Sequence, residues 1–246
     1  MAHRIGIIGG DGIGPEVISE GLKVIDAAGV NLETVEYDLG GDRYGRDGTV
    51  LPEEVIEEWR SLDALYLGAV GTPDVPPGLI ERGLLLKMRF ALDLYVNLRP
   101  FTYAENNVDF CVVRENTEGS YAGEGGVLRQ GTEHEIATQG SVNTRMGVER
   151  CIRFAFDLAS NRKGHLTLVH KTNVLTFAGD LWERTFNEVA REYPNVDTSY
   201  NHVDAACIYF VQSPDQYDVI VTDNLFGDIL TDLGGAISGG IGMAAS

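Results

Sequence analysis

The feature that most constrains this chain is a regular alternation of two hydrophobic periods along nearly all of its 246 residues. Short apolar runs with strand character fall at 4–8, 32–37, 63–68, 108–114, 165–170, 196–201 and 217–222. Between them lie segments with helical periodicity at 14–28, 52–60, 78–93, 145–160, 178–192, 203–212 and 225–237. In 145–160, for example, Val148, Ile152, Ala155 and Ala159 recur every three or four positions and mark one face of a helix. Strands that alternate with helices pair in parallel through right-handed crossovers, so an α/β architecture is expected. One region breaks the pattern. Residues 115–144 are rich in Gly and Thr and read as a β-arm projecting from the compact fold.

Composition excludes several classes of partner. The formal charge is −18, from 19 basic and 37 acidic residues. Duplex nucleic acid and anionic membranes both attract positive surfaces, so neither is expected as the main partner. A small anionic substrate stays open, because a few arginines dominate a local field. Cys111, Cys151 and Cys207 lie far apart in apolar runs and read as free thiols. No apolar run approaches the ~20 residues of a membrane span and no signal peptide is evident, so a cytoplasmic location is expected.

Four stretches could carry chemistry. In "IIGGDGIGPEV", Gly10 and Gly12 fit a dinucleotide-binding fingerprint and Asp38 imitates its ribose-binding acid. The third glycine's place is taken by Pro15, which suits a helix's first turn, as Glu16 does. A tight turn is therefore favoured over a phosphate cradle. Gly240-x-Gly242-x-x-Ala245 follows a helix rather than a strand and is set aside. Arg89 on a helix, Arg99 just after one and Arg114 at a strand end would clamp a dicarboxylate if they converged. Asp228 and Asp232 are four apart, so on a helix they share a face and suit a hard divalent cation such as Mg²⁺ or Mn²⁺. Asp223 has the place of a helix cap. Lys171, directly after a strand, is a candidate for proton transfer, and Asp204 reads equally well as a helix cap.

Taken together, GDGIGPEV, NLRP, VVRENTEGSY, HKTNVL, HVDA and TDNLFGDILTDL resemble the β-decarboxylating dehydrogenases of 2-hydroxy acids, the isocitrate/isopropylmalate dehydrogenase family. These stretches occur in family order across nearly the whole chain. The resemblance implies a two-domain α/β fold that is not Rossmann, with residues 1–94 plus 239–246 in the first domain and 95–238 in the second. The active site would lie between the domains of a homodimer whose arm near 115–144 supplies part of the contact. Arg89, Arg99 and Arg114 are implied to hold the substrate's carboxylates. Asp228 also faces the substrate and ligates the metal with Asp232 and the partner subunit's Asp204. The resemblance further implies that the partner subunit's Lys171 takes the C2 hydroxyl proton as NAD⁺ accepts hydride, and that Tyr121 helps protonate the enol left after CO₂ departs. Asn173 and Val174 are implied to lie against the cofactor.

Substrate choice is expected in "ERGLLLKMR", where Leu85 and Leu86, one turn before Arg89, present an apolar wall. That wall suits the isopropyl group of 3-isopropylmalate, oxidised to 4-methyl-2-oxopentanoate and CO₂ in leucine biosynthesis. It disfavours isocitrate, whose extra carboxylate would be desolvated unpaired. It discriminates less well against D-malate or tartrate, since missing methyl groups change binding by only ~1–3 kcal/mol. A D-malate or tartrate dehydrogenase and a non-catalytic homologue are the alternatives. Two features depart from the family: the link 101–107 is short, and the adenosine-binding segment is absent before Ser246. The chain is therefore expected to be part of a longer protein.

Overall fold

The computed structural model describes residues 2–240 and residue 242. The chain divides into two compact units, Met1–Asp93 and Leu94–Ser246.

In the first unit, strands β1 (His3–Gly10), β2 (Leu32–Glu36) and β3 (Ala64–Ala69) form a parallel sheet in the order β2-β1-β3. Alternate residues of a strand face opposite sides, and β1 shows it. Ile5 and Ile7 pack with Ile18 of helix α1 (Gly14–Ala27), while Ile8 joins Ile56 and Trp59 of α3 (Glu53–Trp59) on the other face. The short helix α2 (Gly41–Asp47) was not expected, because its two glycines mask a helical signal. The helix expected over 78–93 is not uniform: a π-helical turn, Glu81–Leu86, runs straight into α4 (Lys87–Ala91).

The second unit is a five-stranded sheet in the order β4-β5-β10-β8-β9. Its strands are β4 (Val96–Tyr103), β5 (Val108–Glu115), β8 (His165–His170), β9 (Asp197–His202) and β10 (Val219–Thr222). The last four are parallel and β4 is antiparallel to β5. Helices α5 (Arg145–Ser160) and α6 (Thr176–Ala190) cover one face, over Val113, Leu166, Leu168, Val219 and Val221. Helices α7 (Val203–Gln212) and α8 (Asn224–Ile237) cover the other, over Phe110, Val112, Val169 and Ile220. Burial on both faces explains why these strands are continuous apolar runs rather than alternating ones. The arm is a two-stranded antiparallel ribbon of β6 (Gly125–Leu128) and β7 (Ile136–Gln139).

One expectation needs correction. Arg99 does not directly follow a helix: it lies within β4, an antiparallel strand that runs on into the link expected over 101–107. The stretch 239–246, expected in the first unit, falls largely on residues 241 and 243–246, outside those described, as does most of the Gly240–Ala245 glycine motif. Of its described residues 239, 240 and 242, Gly239 lies beside the Tyr103 ring of the second unit. Among the three cysteines, all free, Cys111 and Cys151 are buried and Cys207 is half-buried. Burial pushes each of the three thiols up.

Candidate active site

The carboxyl ends of β5, β8 and β10 gather most of the chemistry-bearing side chains of the second unit, which is where an α/β sheet offers a ligand site. Arg114 is the last residue but one of β5 and is only 2% exposed. Its Nε and Nη2 both donate to Asn224 Oδ1, at 3.0 and 2.8 Å. Its Nη1 donates to Asp228. The Tyr121 hydroxyl donates to the other Asp228 oxygen at 2.9 Å, with its ring 5.3 Å from the guanidinium. Burial, and then the Asp228 carboxylate, push the Tyr121 phenol up, so it stays protonated well above neutrality.

Arg99 belongs to the same cluster. Burial pushes its guanidinium down, then the charge of Arg114 does, while Asp228 and Asp232 oppose both. On β4, Asn97 pairs in register with Arg114 and its Oδ1 accepts from Arg99 Nε at 2.8 Å, so the antiparallel strand brings two arginines to one place. Asp228 and Asp232 lie one helical turn apart on α8, Asp228 half-buried and Asp232 exposed. Asp223 caps α8, its carboxylate accepting from Phe226 N at 2.8 Å.

A second constellation stands at the end of β8. Lys171 Nζ donates to Asp204 Oδ1 at 2.6 Å, and this bond chiefly holds the Asp204 carboxyl below its usual range. Asp204 lies in the first turn of α7 but does not cap it; the cap position is His202. Among the described residues no three His, Cys, Asp or Glu side chains converge, so Asp204 is not with Asp228 and Asp232 in this chain. Asn173 and Val174, just beyond Lys171, are exposed. Arg89, Leu85 and Leu86 belong to the first unit, where the two leucines end the π-helical turn and Leu85 packs partly into the core.

Several residues that build this site are absent from the sequence reading. Asn224 is fully buried, and its amide donates to the Glu118 carbonyl at 3.1 Å while its oxygen holds Arg114. Gly227 leaves room for the Arg114 stem, since a Cβ there would sit 2.4 Å from Arg114 Cγ. Glu115 accepts from the N–H groups of Thr117 and Glu118 and folds the turn that carries Tyr121; burial pushes its carboxyl up. A glycine inside a helix costs about 1 kcal/mol, and that cost was the one signal in the sequence pointing to Gly227.

The "GDGIG" turn of the first unit is knotted to the backbone around it through Asp11. Asp11 is buried, and its carboxylate accepts from Gly41 N and Gly71 N at 2.7 Å and from Asp42 N at 3.0 Å. Gly10 has φ 73°, and a Cβ on it would lie 2.0 Å from the Ala69 carbonyl.

Guanidiniums, a phenol and carboxylates near strand ends make this an α/β protein suited to a small, multiply charged ligand. The chain belongs to the isocitrate/isopropylmalate dehydrogenase family, whose pattern matches residues 4–246. It is therefore a decarboxylating dehydrogenase, an oxidoreductase. A 3-isopropylmalate dehydrogenase from Corynebacterium diphtheriae is 60% identical over 99% of this chain and 75% of its own length. One from Thermobifida fusca is 58% identical over 99% of this chain and 73% of its own. The crystal structure of isocitrate dehydrogenase from Methylococcus capsulatus superposes with a TM-score of 0.89 at 38% identity, over 99% of this chain and 73% of that one. No described helix is long and apolar enough to cross a membrane.

Proposed function

We propose that the enzyme catalyses the NAD-dependent oxidative decarboxylation of 3-isopropylmalate in leucine biosynthesis, as a homodimer in the cytoplasm. What carries the substrate reading is the 60% identity to an enzyme named for that substrate. The interlocked Arg114, Tyr121 and Asp228 support it.

Arg89, Arg99 and Arg114 hold the malate carboxylates. Arg114 is suited to this because Asn224 fixes two of its nitrogens before any ligand arrives, so little ordering remains to be done on binding. The exposed Asn173 and Val174 flank the cofactor, and Leu85 and Leu86 meet the isopropyl group. The Asp228 and Asp232 carboxylates, hard oxygen donors one turn apart, fit a divalent cation of the Mg²⁺ or Mn²⁺ kind, with the partner subunit's Asp204 as a third donor. Such a cation supplies Lewis acidity at the C2 oxygen, and NAD⁺ supplies the hydride acceptor. The partner subunit's Lys171 takes the C2 hydroxyl proton. Once CO₂ has left, the Tyr121 phenol delivers a proton to C3, and its raised pKa keeps that proton in place until then.

The test compares kcat/KM on 3-isopropylmalate and D-malate with NAD⁺ and Mn²⁺ present. We expect isopropylmalate to be preferred by at least about tenfold, since its isopropyl group adds three carbons and a single methylene in an apolar pocket is already worth ~1–3 kcal/mol. A preference for D-malate would overturn the substrate assignment.

A further inference from the structure

The end of β8 is held by a side chain that takes no part in the cluster around Asp228. Tyr200, on β9, pairs in register with Leu168, and the next inward residue of that strand, His202, pairs with His170. The Tyr200 hydroxyl therefore reaches just past the end of β8. There it accepts from Thr172 N at 3.1 Å and donates to the His170 carbonyl at 3.3 Å. It also lies 3.0 Å from Thr172 Oγ1 and 2.8 Å from His202 Nδ1. The two backbone groups it engages belong to the peptide bonds on either side of Lys171. Thr172 is also hemmed in by α6, because Gly179 comes so close that a Cβ there would sit 2.6 Å from Thr172 Cα. Downstream, the Lys171 carbonyl accepts from the N–H groups of both Val174 and Leu175.

We propose that Tyr200 is a positioning residue for Lys171: its hydroxyl ties down both peptide groups flanking the lysine and so sets where Nζ stands. The inference rests on the reading of Lys171 as the proton-transfer group. His202 supports the clamp by bonding the same oxygen, and the ring of Tyr200 stands edge-on to it at 5.2 Å between centroids. An unclamped turn lets the lysine backbone drift, and a misplacement of about 1 Å in a reacting group costs on the order of 100-fold in rate. Substrate carboxylates are held elsewhere, so binding is spared.

The experiment is a double-mutant cycle on the full chain, with Tyr200→Phe, Lys171→Ala and the pair assayed on 3-isopropylmalate with NAD⁺ and Mn²⁺. We expect Tyr200→Phe to lower kcat by about 10–100-fold with KM changed less than about twofold. In the Lys171→Ala background it should remove nothing further from the residual turnover. Hydrogen exchange supplies a readout independent of turnover: the Thr172 amide should exchange faster in Tyr200→Phe. An unchanged kcat, an equal fold-loss in both backgrounds, or an unaltered Thr172 amide overturns the proposal. Lys171→Ala at wild-type turnover overturns the reading of Lys171 itself, and the proposal with it. Should Tyr200→Phe not fold, para-fluorophenylalanine at the same position fills the hydroxyl's space without its donor hydrogen. The same loss in kcat and the same faster Thr172 exchange are expected, and an unchanged kcat there is equally decisive against the clamp.

Discussion

Asp11 and Arg114 are both buried charged side chains, and they differ in how they could be read. Arg114 was legible as a candidate because it ends an apolar strand, where a charge needs a reason. Asp11 was not, since its partners lie 30 and 60 residues away in sequence and only the folded chain brings Gly41 and Gly71 to it. Burial pushes the Asp11 carboxyl up, but the N–H groups of Asp42, Gly71 and Gly41 outweigh it and hold the group below its usual range. A carboxyl lowered in the folded state stabilises above the ordinary aspartate value, and that stability is lost as pH falls through the folded one. Asp11→Asn removes the charge and should cost ~1–3 kcal/mol near neutrality. In thermal melts at several pH values, the deficit should stay constant from about pH 8 to 6 and shrink below about pH 4. A deficit independent of pH down to 3 would show that the carboxylate's charge contributes nothing.

At the scale of elements, the helices and parallel strands were legible because their periods are strong, and the misses have identifiable causes. β4 has no place among the expected strands: it contains Pro100, which cannot donate to a ladder and interrupts a strand pattern. The same proline is what an edge strand tolerates, and β4 is the sheet's edge. Helix α8 hides its function in the opposite way: its periodicity is clear, but Gly227 looks like a weakness within it. Ala is the better helix former by about 1 kcal/mol, so propensity alone says Gly227→Ala stabilises. Packing says otherwise, because the new methyl would meet the Arg114 stem at 2.4 Å, among atoms of a side chain that is itself fully buried. Overpacking of this kind costs ~1–3 kcal/mol and exceeds the propensity gain. We expect Gly227→Ala to lower the melting temperature and to raise KM for the substrate, as Arg114 is pushed off Asn224. A raised melting temperature with unchanged KM would mean that Arg114 has room to yield.

For the whole molecule, one chain sets Lys171 and Asp204 in one place and Asp228 and Asp232 in another. The proposed chemistry needs both sets on a single substrate. Outward-facing apolar side chains on the two covering helices, Ile208 and Val211 on α7 and Leu225 and Ile229 on α8, give a second copy a surface to bury. An isologous dimer resolves the difficulty if each site draws its lysine from the other chain. The consequence is arithmetical. Lys171→Ala and Asp228→Asn should each be inactive as homodimers. In a mixed dimer one site collects both lesions and the other collects none, so the purified heterodimer should recover about half of the wild-type turnover. Differently tagged chains, refolded together and separated by tag, allow that measurement. If lysine and aspartate serve the same site from the same chain, both sites of the mixed dimer carry a lesion and no turnover returns. Recovery thus depends only on which chain supplies Lys171, and it reads out shared sites without requiring that any distance between the two sets be known.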